Sequence, residues 1–509
     1  MHPLCNMADF LTKRPFIICA LGCISASILG FNSKWALLFY IILISLWLIY
    51  NIIIRKNSSA ILVLIIIIIC SVNIFNTARY TERLNKLDSK TYSCQFIVKD
   101  ITYEADQYYI ANIEIINRND FIKGAQVSAM LHNTKADMGD ILDAELTFER
   151  LKEDSYKANY FGKGIYLSAY AREEKLTEKH DIVLHYVSKI RDYIRNSLFE
   201  HTDYSEASTL CALLFGDKSY FSNKFYTAVG YSGVNHVMVV SGMHLSIIVA
   251  LFSYFTDRCI YNPYVKAVLM VAVVVFIAAL CGFTMSIMRA GITYILMALG
   301  IVIGRDNTPD NSLGAATVII LFMYPYAIMS LALQLSLLST FGILCVALPV
   351  IRFINIRKII KSKVILSIIS AVLTTLSATL LTLPVCIYVF GYISKVAVIT
   401  NLLLGLAVTV AMCLAILALI VNLVLPTAAD ILFTLCEGVT YYINNVILLL
   451  GSSEKSVQTL ERYHSFTAVL IIILIFWLLL ACKKRINMLK LAEKRKKILN
   501  EGGKKLKWR

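Results

Sequence analysis

The residue run Ile61–Cys70, ILVLIIIIIC, contains only apolar side chains over ten consecutive positions. A helix formed by this run would be hydrophobic on every face, whereas a helix at the surface of a soluble protein keeps a polar side. The stretch Leu470–Leu480 is likewise apolar throughout, and apolar runs of about twenty residues, the length that crosses a bilayer, recur along the chain. The chain is therefore predicted to be a polytopic α-helical membrane protein.

The apolar runs fall into two groups. Three predicted spans, at about residues 15–31, 35–54 and 60–76, precede a polar interval, and about nine more lie between residues 234 and 482, which gives about twelve transmembrane helices. We expect the first run to be a retained helix, not a cleaved signal peptide, because further spans follow it at once. The positions of Lys and Arg between the runs place both termini in the cytoplasm and the protein in a bacterial cytoplasmic membrane.

Changes in sequence pattern give the expected domain boundaries. Residues 205–235 and 391–425 fit either a crossing or a re-entrant segment. The predicted segments are an N-terminal three-helix membrane segment (1–84), an extracytoplasmic OB-like β domain (85–180), an amphipathic linker helix (181–204), a helical channel core (205–482) and a basic cytoplasmic tail (483–509).

The positive charge of the chain is concentrated at one end. The 509 residues carry a formal net charge of +16, of which residues 483–509 contribute +10 from twelve Lys or Arg and two Glu. A basic tail beside a membrane span indicates the cytoplasmic side and contact with anionic lipid. The net charge is therefore weak evidence for nucleic-acid binding.

The thirteen cysteines are scattered and mostly lie in apolar runs. None forms a CxxC pair or a Cys/His cluster at zinc-ligand spacing, so they are expected to be small core residues, without a metal. The polar interval contains only Cys94, which excludes a disulfide within it.

The polar interval has the pattern of a small β-barrel. Four of its stretches, QYYIANIEII, GAQVSAMLH, GDILDAELTFER and KGIYLSAYA, alternate or are rich in β-branched and aromatic residues, with glycines near their starts. About five strands in a hundred residues suit an OB-like fold. An OB-fold often binds single-stranded nucleic acid on aromatic and basic residues, and the weak candidates for that role are Tyr108, Tyr109, Phe121, Lys123, Arg150 and Lys152.

The charge of this interval counts against a broad DNA-binding face. Residues 85–180 contain thirteen basic and sixteen acidic residues, a net charge of −3, so a DNA-binding face would be a local patch. Core aromatics and solvated charges explain each candidate equally well. The next segment places apolar residues at positions 183, 187, 190, 194 and 198 among basic ones, which predicts an amphipathic helix at the membrane surface.

Several strongly polar residues lie inside the apolar core. The stretch HVMVVSGMHLS contains His236, Ser241, Gly242 and His244, and Arg289 lies in the apolar run MSIMRAG. Polar groups at bilayer depth are costly and usually face a bundle interior or a water-filled passage. The alternative is that each side chain only hydrogen-bonds a neighbouring helix.

A further polar pair, Gln334 and Ser336, occurs in LALQLSLLSTFG. Of that stretch only Gln334 is unusual, because Ser and Thr are ordinary packing residues in membrane helices. No Walker A loop, no GxSxG elbow and no metal-binding histidine pair is present, so the chain is not expected to be an enzyme or to need a cofactor.

These blocks resemble the ComEC-type competence proteins, the inner-membrane channels of natural transformation. The resemblance covers LCALLFGDKSYFSNKFYTAVGYSGVNHVMVVSGMHLSII, the arginine block, the QLS block and TLPVCIYVFGYISKVAVITNLL, in that order. Carried over by position, Gly216 and Asp217 match a glycine-aspartate turn. The positions that match the channel core are His236, Ser241, Gly242, His244, Arg289, Gln334 and Ser336.

The resemblance implies a channel for single-stranded DNA in competence. The implied partners are the DNA strand, DNA-receptor and uptake proteins on the outer face, a cytoplasmic ATPase or single-strand-binding proteins, membrane lipids and further copies of this chain. Longer family members carry a metallo-β-lactamase-like domain that is absent here, so we expect no nuclease activity from this chain. Transport of another anionic or amphipathic envelope component, or a scaffold without transport, stays open as an alternative.

Overall fold

The computed structural model describes most of the chain between the first predicted span and the last. The described residues are 15–32, 41–42, 59–104, 108–117, 122–132, 136–151, 155–238, 240–304, 309–356, 362–461, 464, 467 and 469.

Two helices are described in full within the N-terminal membrane segment. Helix α1 spans Pro15–Asn32 and helix α2 spans Ser59–Leu84, at the first and third predicted spans. Of the second predicted span, 35–54, only residues 41–42 are described. Cys19 and Cys23 of α1 pack in one buried cluster with residues of α2, as expected for cysteines that act as small core residues.

The polar interval forms a closed barrel. Its five strands pair in the order β1-β2-β3-β5-β4, with β3 parallel to β5 and every other pair antiparallel. The five strands and the small barrel were predicted from the alternating pattern, and both are confirmed. In chain order its elements are β1 (Thr91–Glu104), β2 (Tyr109–Asn117), β3 (Gln126–Leu131), β4 (Asp140–Arg150), helix α3 (Ser155–Gly162) and β5 (Ile165–His180).

Strand β4 shows why the barrel closes. Leu142, Ala144, Leu146 and Phe148 alternate along it and are at most 5% exposed, because successive strand residues point to opposite faces. Helix α3 was not predicted, since an eight-residue helix is too short to show a helical period.

Helix α4, Ile182–His201, connects the barrel to the helical bundle. Val187 and Leu198 are buried and Ile194 packs against the bundle core, as the predicted amphipathic pattern requires. Val183 and Ile190 are exposed instead. The buried face is therefore rotated from the predicted one, because the helix packs against bundle helices on one side only.

Eleven further helices follow in the described part of the chain, and most form the bundle. A π-helical segment, Ile343–Ala347, joins two of them, and the short strands β6 (Tyr392–Ser394) and β7 (Val457–Thr459) pair antiparallel. The helices are α5 (Tyr204–Phe215), α6 (Asn223–Tyr231), α7 (Gly242–Cys259), α8 (Pro263–Leu280), α9 (Met285–Ile303), α10 (Pro309–Met323), α11 (Leu331–Gly342), α12 (Leu348–Ile356), α13 (Lys363–Phe390), α14 (Ala397–Asn422) and α15 (Pro426–Gly451).

Six stretches among the described residues are long and apolar enough to cross a membrane. Helices α1, α9 and α10 contain shorter apolar stretches. A membrane protein with an inserted β domain is thus supported, while the count of twelve spans remains a prediction. The six stretches are Val63–Leu87, Pro263–Leu280, Leu331–Arg352, Lys363–Phe390, Ala397–Asn422 and Pro426–Gly451.

An aromatic cluster docks the barrel onto the bundle. The Phe161 ring of α3 lies 5.9 Å from that of Tyr326, which follows α10, and Phe31 of α1 lies 5.7 Å from the same tyrosine. A Cβ on Gly162 would come within 2.4 Å of the Ser330 nitrogen, so the two backbones are in direct contact. This contact fixes the position of the barrel relative to the helices described below.

Candidate functional site

The N-terminus of α7 is capped by two of the predicted polar residues. The Ser241 N–H donates to His244 Nδ1 over 3.0 Å, and Ser241 Oγ accepts from the Met243 N–H over 3.3 Å. This capping box satisfies backbone donors that a helix start leaves unpaired. His244 is fully buried. The structure thus gives Ser241 and His244 a local structural role and places the imidazole at the start of a helix.

Gly242 allows Arg289 of α9 to reach the same helix start. A Cβ on Gly242 would lie 2.8 Å from Arg289 Nη2 and 3.2 Å from the Ala290 Cβ, closer than side chains normally approach. Only glycine leaves room for the guanidinium there. Two segments that are about fifty residues apart in sequence therefore meet at this point.

The Arg289 guanidinium is held by hydroxyl groups. Its Nε donates to Ser336 Oγ of α11 over 2.8 Å, and Ser286 Oγ donates to the same oxygen over 3.1 Å. Arg289 is 9% exposed, and no carboxylate among the described residues lies within ion-pair distance of it. A nearly buried cation with only neutral partners is available to an anion.

A second hydroxyl chain joins α7 and α9. Tyr294 donates through its hydroxyl to Ser246 Oγ over 2.8 Å, and Ser246 Oγ donates to the Gly242 carbonyl over 2.7 Å. Ser246, Ser286 and Tyr294 were not among the predicted site residues. The spacing of Ser246 four residues after Gly242 is the signal that places it on the same helix face.

Gln334 lies outside this convergence. Its Nε2 donates to the Ile328 carbonyl over 2.8 Å, which ties the start of α11 to the turn before it. Ser339 and Thr340 donate to the Ser336 carbonyl in their own helix. Helix α11 thus directs Ser336 toward Arg289 and Gln334 toward its own N-terminal turn, so Gln334 does not join the contacts around Arg289.

Gly216 and Asp217 form a turn next to the capped helix. Gly216 ends α5 with a φ of +81°, a left-handed conformation that favours glycine, and a Cβ there would come within 3.3 Å of Val240. Asp217 Oδ1 accepts from the Ser219 N–H over 3.0 Å. This turn packs the end of α5 against the residue that precedes Ser241.

His236 lies in the turn before α7. Its side chain is exposed. It interacts electrostatically with His244, and the turn that contains it leads directly into the capped start of α7.

The candidate DNA-binding residues of the barrel are dispersed. Tyr109 is 9% exposed and belongs to the barrel core, and burial raises the pKa of its phenol. The strand directs this ring into the barrel core, away from the barrel surface. Tyr108 is half-buried beside His132, Lys123 is exposed, and Phe121 and Lys152 lie outside the described residues.

Arg150 lies at an open cleft on the barrel. Its Nε is 3.3 Å from Asp88 Oδ2, and its guanidinium also donates to the Asn85 carbonyl. The cleft has a volume of about 210 Å³ and is also lined by Lys157, Tyr160 and Tyr170. These three residues were not predicted from the sequence. Lys157 and Tyr160 lie on helix α3, which was not predicted, and the pairing of strand β5 decides which face of the barrel Tyr170 occupies.

No three His, Cys, Asp or Glu side chains of the described residues are grouped so that they could hold a metal ion. The polar groups at the α7 start are instead a guanidinium, an imidazole and hydroxyls. Such groups donate hydrogen bonds to anions and to polar ligands.

The fold and the site define a multi-pass α-helical membrane protein with a β-barrel inserted ahead of a helical bundle. Residues 213–485, more than half of the chain, match the Competence protein family, and the chain belongs to that family. The matched region includes both the α7 start and Arg289.

One curated relative adds to this assignment. ComE operon protein 3 of Bacillus subtilis (strain 168) is 23% identical over 193 residues, which cover 38% of this chain and 24% of the relative. The chain thus spans about a quarter of the length of the curated relative it matches. No solved structure matches the chain.

Proposed function

We propose that this protein conducts single-stranded DNA across the cytoplasmic membrane during competence. Its membership of the Competence protein family supports a role in DNA uptake. The observation that carries the channel role is the nearly buried Arg289 guanidinium, which meets the α7 start at Gly242 and has only hydroxyl partners.

The buried Arg289 cation is energetically costly. An arginine stays charged at bilayer depth, and the site offers it no carboxylate among the described residues. A passing phosphodiester supplies the missing negative charge. A single cation suits conduction better than a wide basic lining, because a polyanion bound at many points would not be released.

The barrel is the proposed entry of the strand. Its closed five-stranded order supports an OB-like assignment, and the cleft next to Arg150, Lys157, Tyr160 and Tyr170 combines cations with aromatic rings. Because the aromatic cluster at Tyr326 fixes the barrel to the bundle, the strand would pass from the cleft to the helices without a mobile linker.

We also propose an orientation of the protein in the membrane and a set of partners. Both termini would be cytoplasmic, the barrel would face outward toward DNA-receptor and uptake proteins, and the chain would act as a channel without enzymatic activity. Energy would come from a cytoplasmic ATPase or from the membrane potential. Single-strand-binding proteins would receive the strand inside, and lipids and further copies of the chain would complete the assembly.

The experiment compares a wild-type strain with a deletion strain. Fluorescent DNA should become protected from external nuclease only in the strain that carries the protein, while DNA bound at the cell surface stays equal. Unchanged DNA protection together with an altered envelope composition would instead support transport of another anionic component. Unchanged protection and unchanged envelope composition would support the scaffold role.

A further inference from the structure

A second cationic side chain, Lys218, lies beside the turn that leads into α7. Lys218 follows the Gly216–Asp217 turn, and its Nζ donates to Asn235 Oδ1 over 2.5 Å. The same ammonium lies 5.9 Å from the centre of the Tyr226 ring. These contacts hold a half-buried lysine beside the turn that carries His236.

The hydrogen bonds of His244 identify which ring nitrogen carries a proton. Nδ1 accepts the Ser241 N–H, so in the neutral ring the proton is on Nε2. Nε2 is buried and has no hydrogen-bond partner among the described residues. Leaving a buried donor unpaired costs free energy, so an acceptor that bonds this N–H would be stabilised there.

The surrounding charges favour a negatively charged acceptor. Lys218 bonds Asn235, the residue before His236, and His244 bonds Ser241, at the other end of the same short turn, so this turn connects the three residues. His236 also interacts electrostatically with both Lys218 and His244. No carboxylate of the described part of the chain is within ion-pair distance of any of them, and Asp217 is turned to Ser219. The N-terminus of the eighteen-residue helix α7 adds positive potential at the same place.

We propose that Lys218, His236 and His244 form a phosphate-oxyanion site, in which the His244 Nε2–H donates to a phosphate oxygen and the Lys218 ammonium supplies the charge. Three phosphate sources share this chemistry: a nucleic-acid phosphodiester, inorganic phosphate and a phospholipid headgroup. Assigning the phosphodiester as the source rests on the proposed function, whereas the oxyanion site itself does not.

The test measures binding to the full-length protein in detergent by calorimetry. The probes are a thymidine dinucleotide, its uncharged methylphosphonate analogue and inorganic phosphate. His244→Asn keeps an acceptor at the Nδ1 position for the Ser241 N–H and removes only the Nε2 donor. Lys218→Met removes the charge and keeps most of the aliphatic stem, and Lys224→Met, at an exposed position of α6, is the matched control.

We expect His244→Asn and Lys218→Met each to weaken dinucleotide binding about tenfold or more, the loss typical of one hydrogen bond to a charged group, and Lys224→Met to leave it unchanged. Lys218→Arg should retain binding, which separates loss of charge from misfolding. Unchanged affinity in both site variants, or equal affinity for the methylphosphonate analogue, would overturn the oxyanion site.

Two further measurements identify which molecule supplies the phosphate group. Tighter binding of the dinucleotide than of inorganic phosphate supports the phosphodiester. Dinucleotide binding is also measured with the protein in nanodiscs of phosphatidylglycerol and of phosphatidylcholine. If the protein binds the dinucleotide in phosphatidylcholine but not in phosphatidylglycerol, the site is assigned to a lipid headgroup and the phosphodiester is rejected. Variants that lose oxyanion binding but internalise DNA normally would support the oxyanion site and exclude it from the route of the DNA.

Discussion

The Nη2 atom of Arg289 lies 2.8 Å from the position that a Cβ on residue 242 would occupy. Gly242 and Arg289 are therefore complementary, since the absent side chain of one makes the space for the cation of the other. The α7 start and α9 approach closely because of this pair, and the proposed route of the strand depends on it.

Gly242→Ala should displace the guanidinium and break its bond to Ser336. We expect DNA internalisation to fall about tenfold, the effect of losing one charge-assisted hydrogen bond, with surface-bound DNA and protein abundance unchanged. Nuclease-protected fluorescent DNA measures the effect. Gly405→Ala in α14 is the matched control, because a Cβ there meets nothing within 4 Å. Equal uptake by both variants would remove the Gly242–Arg289 contact from the mechanism.

Arg289→Ala should lower internalisation more strongly than Arg289→Lys. Lysine keeps the charge but lacks the planar Nε donor that bonds Ser336, so an intermediate value is expected. The same nuclease-protection assay applies, with surface binding as the internal control. If alanine and lysine reduced uptake equally, the geometry of the guanidinium, and not its charge, would be what matters.

Phosphodiester binding at the Lys218 site should weaken as the pH rises. Burial lowers the pKa of Lys218 to about 8, outside the candidate spans, so the ammonium loses its proton between about pH 7 and about pH 9. The dinucleotide phosphate stays ionised throughout this window, and His236 and His244 are neutral at its upper end. Calorimetric titration of the dinucleotide across the window checks the trend. Binding that is constant or tighter at high pH contradicts a role for this amine.

Tyr326→Ala should loosen the barrel from the bundle. Tyr326 is 2% exposed and contacts Phe31 and Phe161, so its removal leaves a cavity that costs about 3 kcal/mol. We expect a lower thermal midpoint of the detergent-solubilised protein. Tyr261→Ala, at a side chain that is 93% exposed, should leave the midpoint unchanged. Equal midpoints for the two variants would show that the aromatic cluster does not hold the barrel.

Asn444→Ala should destabilise the bundle through Glu206. Asn444 accepts from Thr209 Oγ1 over 2.7 Å and donates to Glu206 Oε1 over 3.4 Å, and all three residues are buried. Removing the amide leaves buried polar atoms unpaired, at about 1–3 kcal/mol. Asn445→Ala is the control, since its exposed amide bonds only the Tyr441 carbonyl of its own helix. Thermal unfolding of the two variants side by side should separate them.

The barrel shows how far local pattern reaches. Alternation along DILDAELTFER predicted strand β4 and its inward face, because side chains of a strand alternate without help from the rest of the protein. The residue pattern could not predict whether Tyr108 or Tyr109 faces the barrel core, because the two neighbouring residues are both tyrosines. The register of β2 against β3 places Tyr109 inside.

By itself, the sequence determined the membrane class, the inserted barrel and most of the residues at the α7 start, because apolar runs, alternation and buried charge are properties of local composition. The contacts of Arg289 with Gly242 and Ser336, the separate position of Gln334 and the bond from Lys218 to Asn235 are known only from the folded chain. The contacts of Arg289 join helices about fifty residues apart in sequence, and the packing of the whole bundle sets which faces of those helices touch.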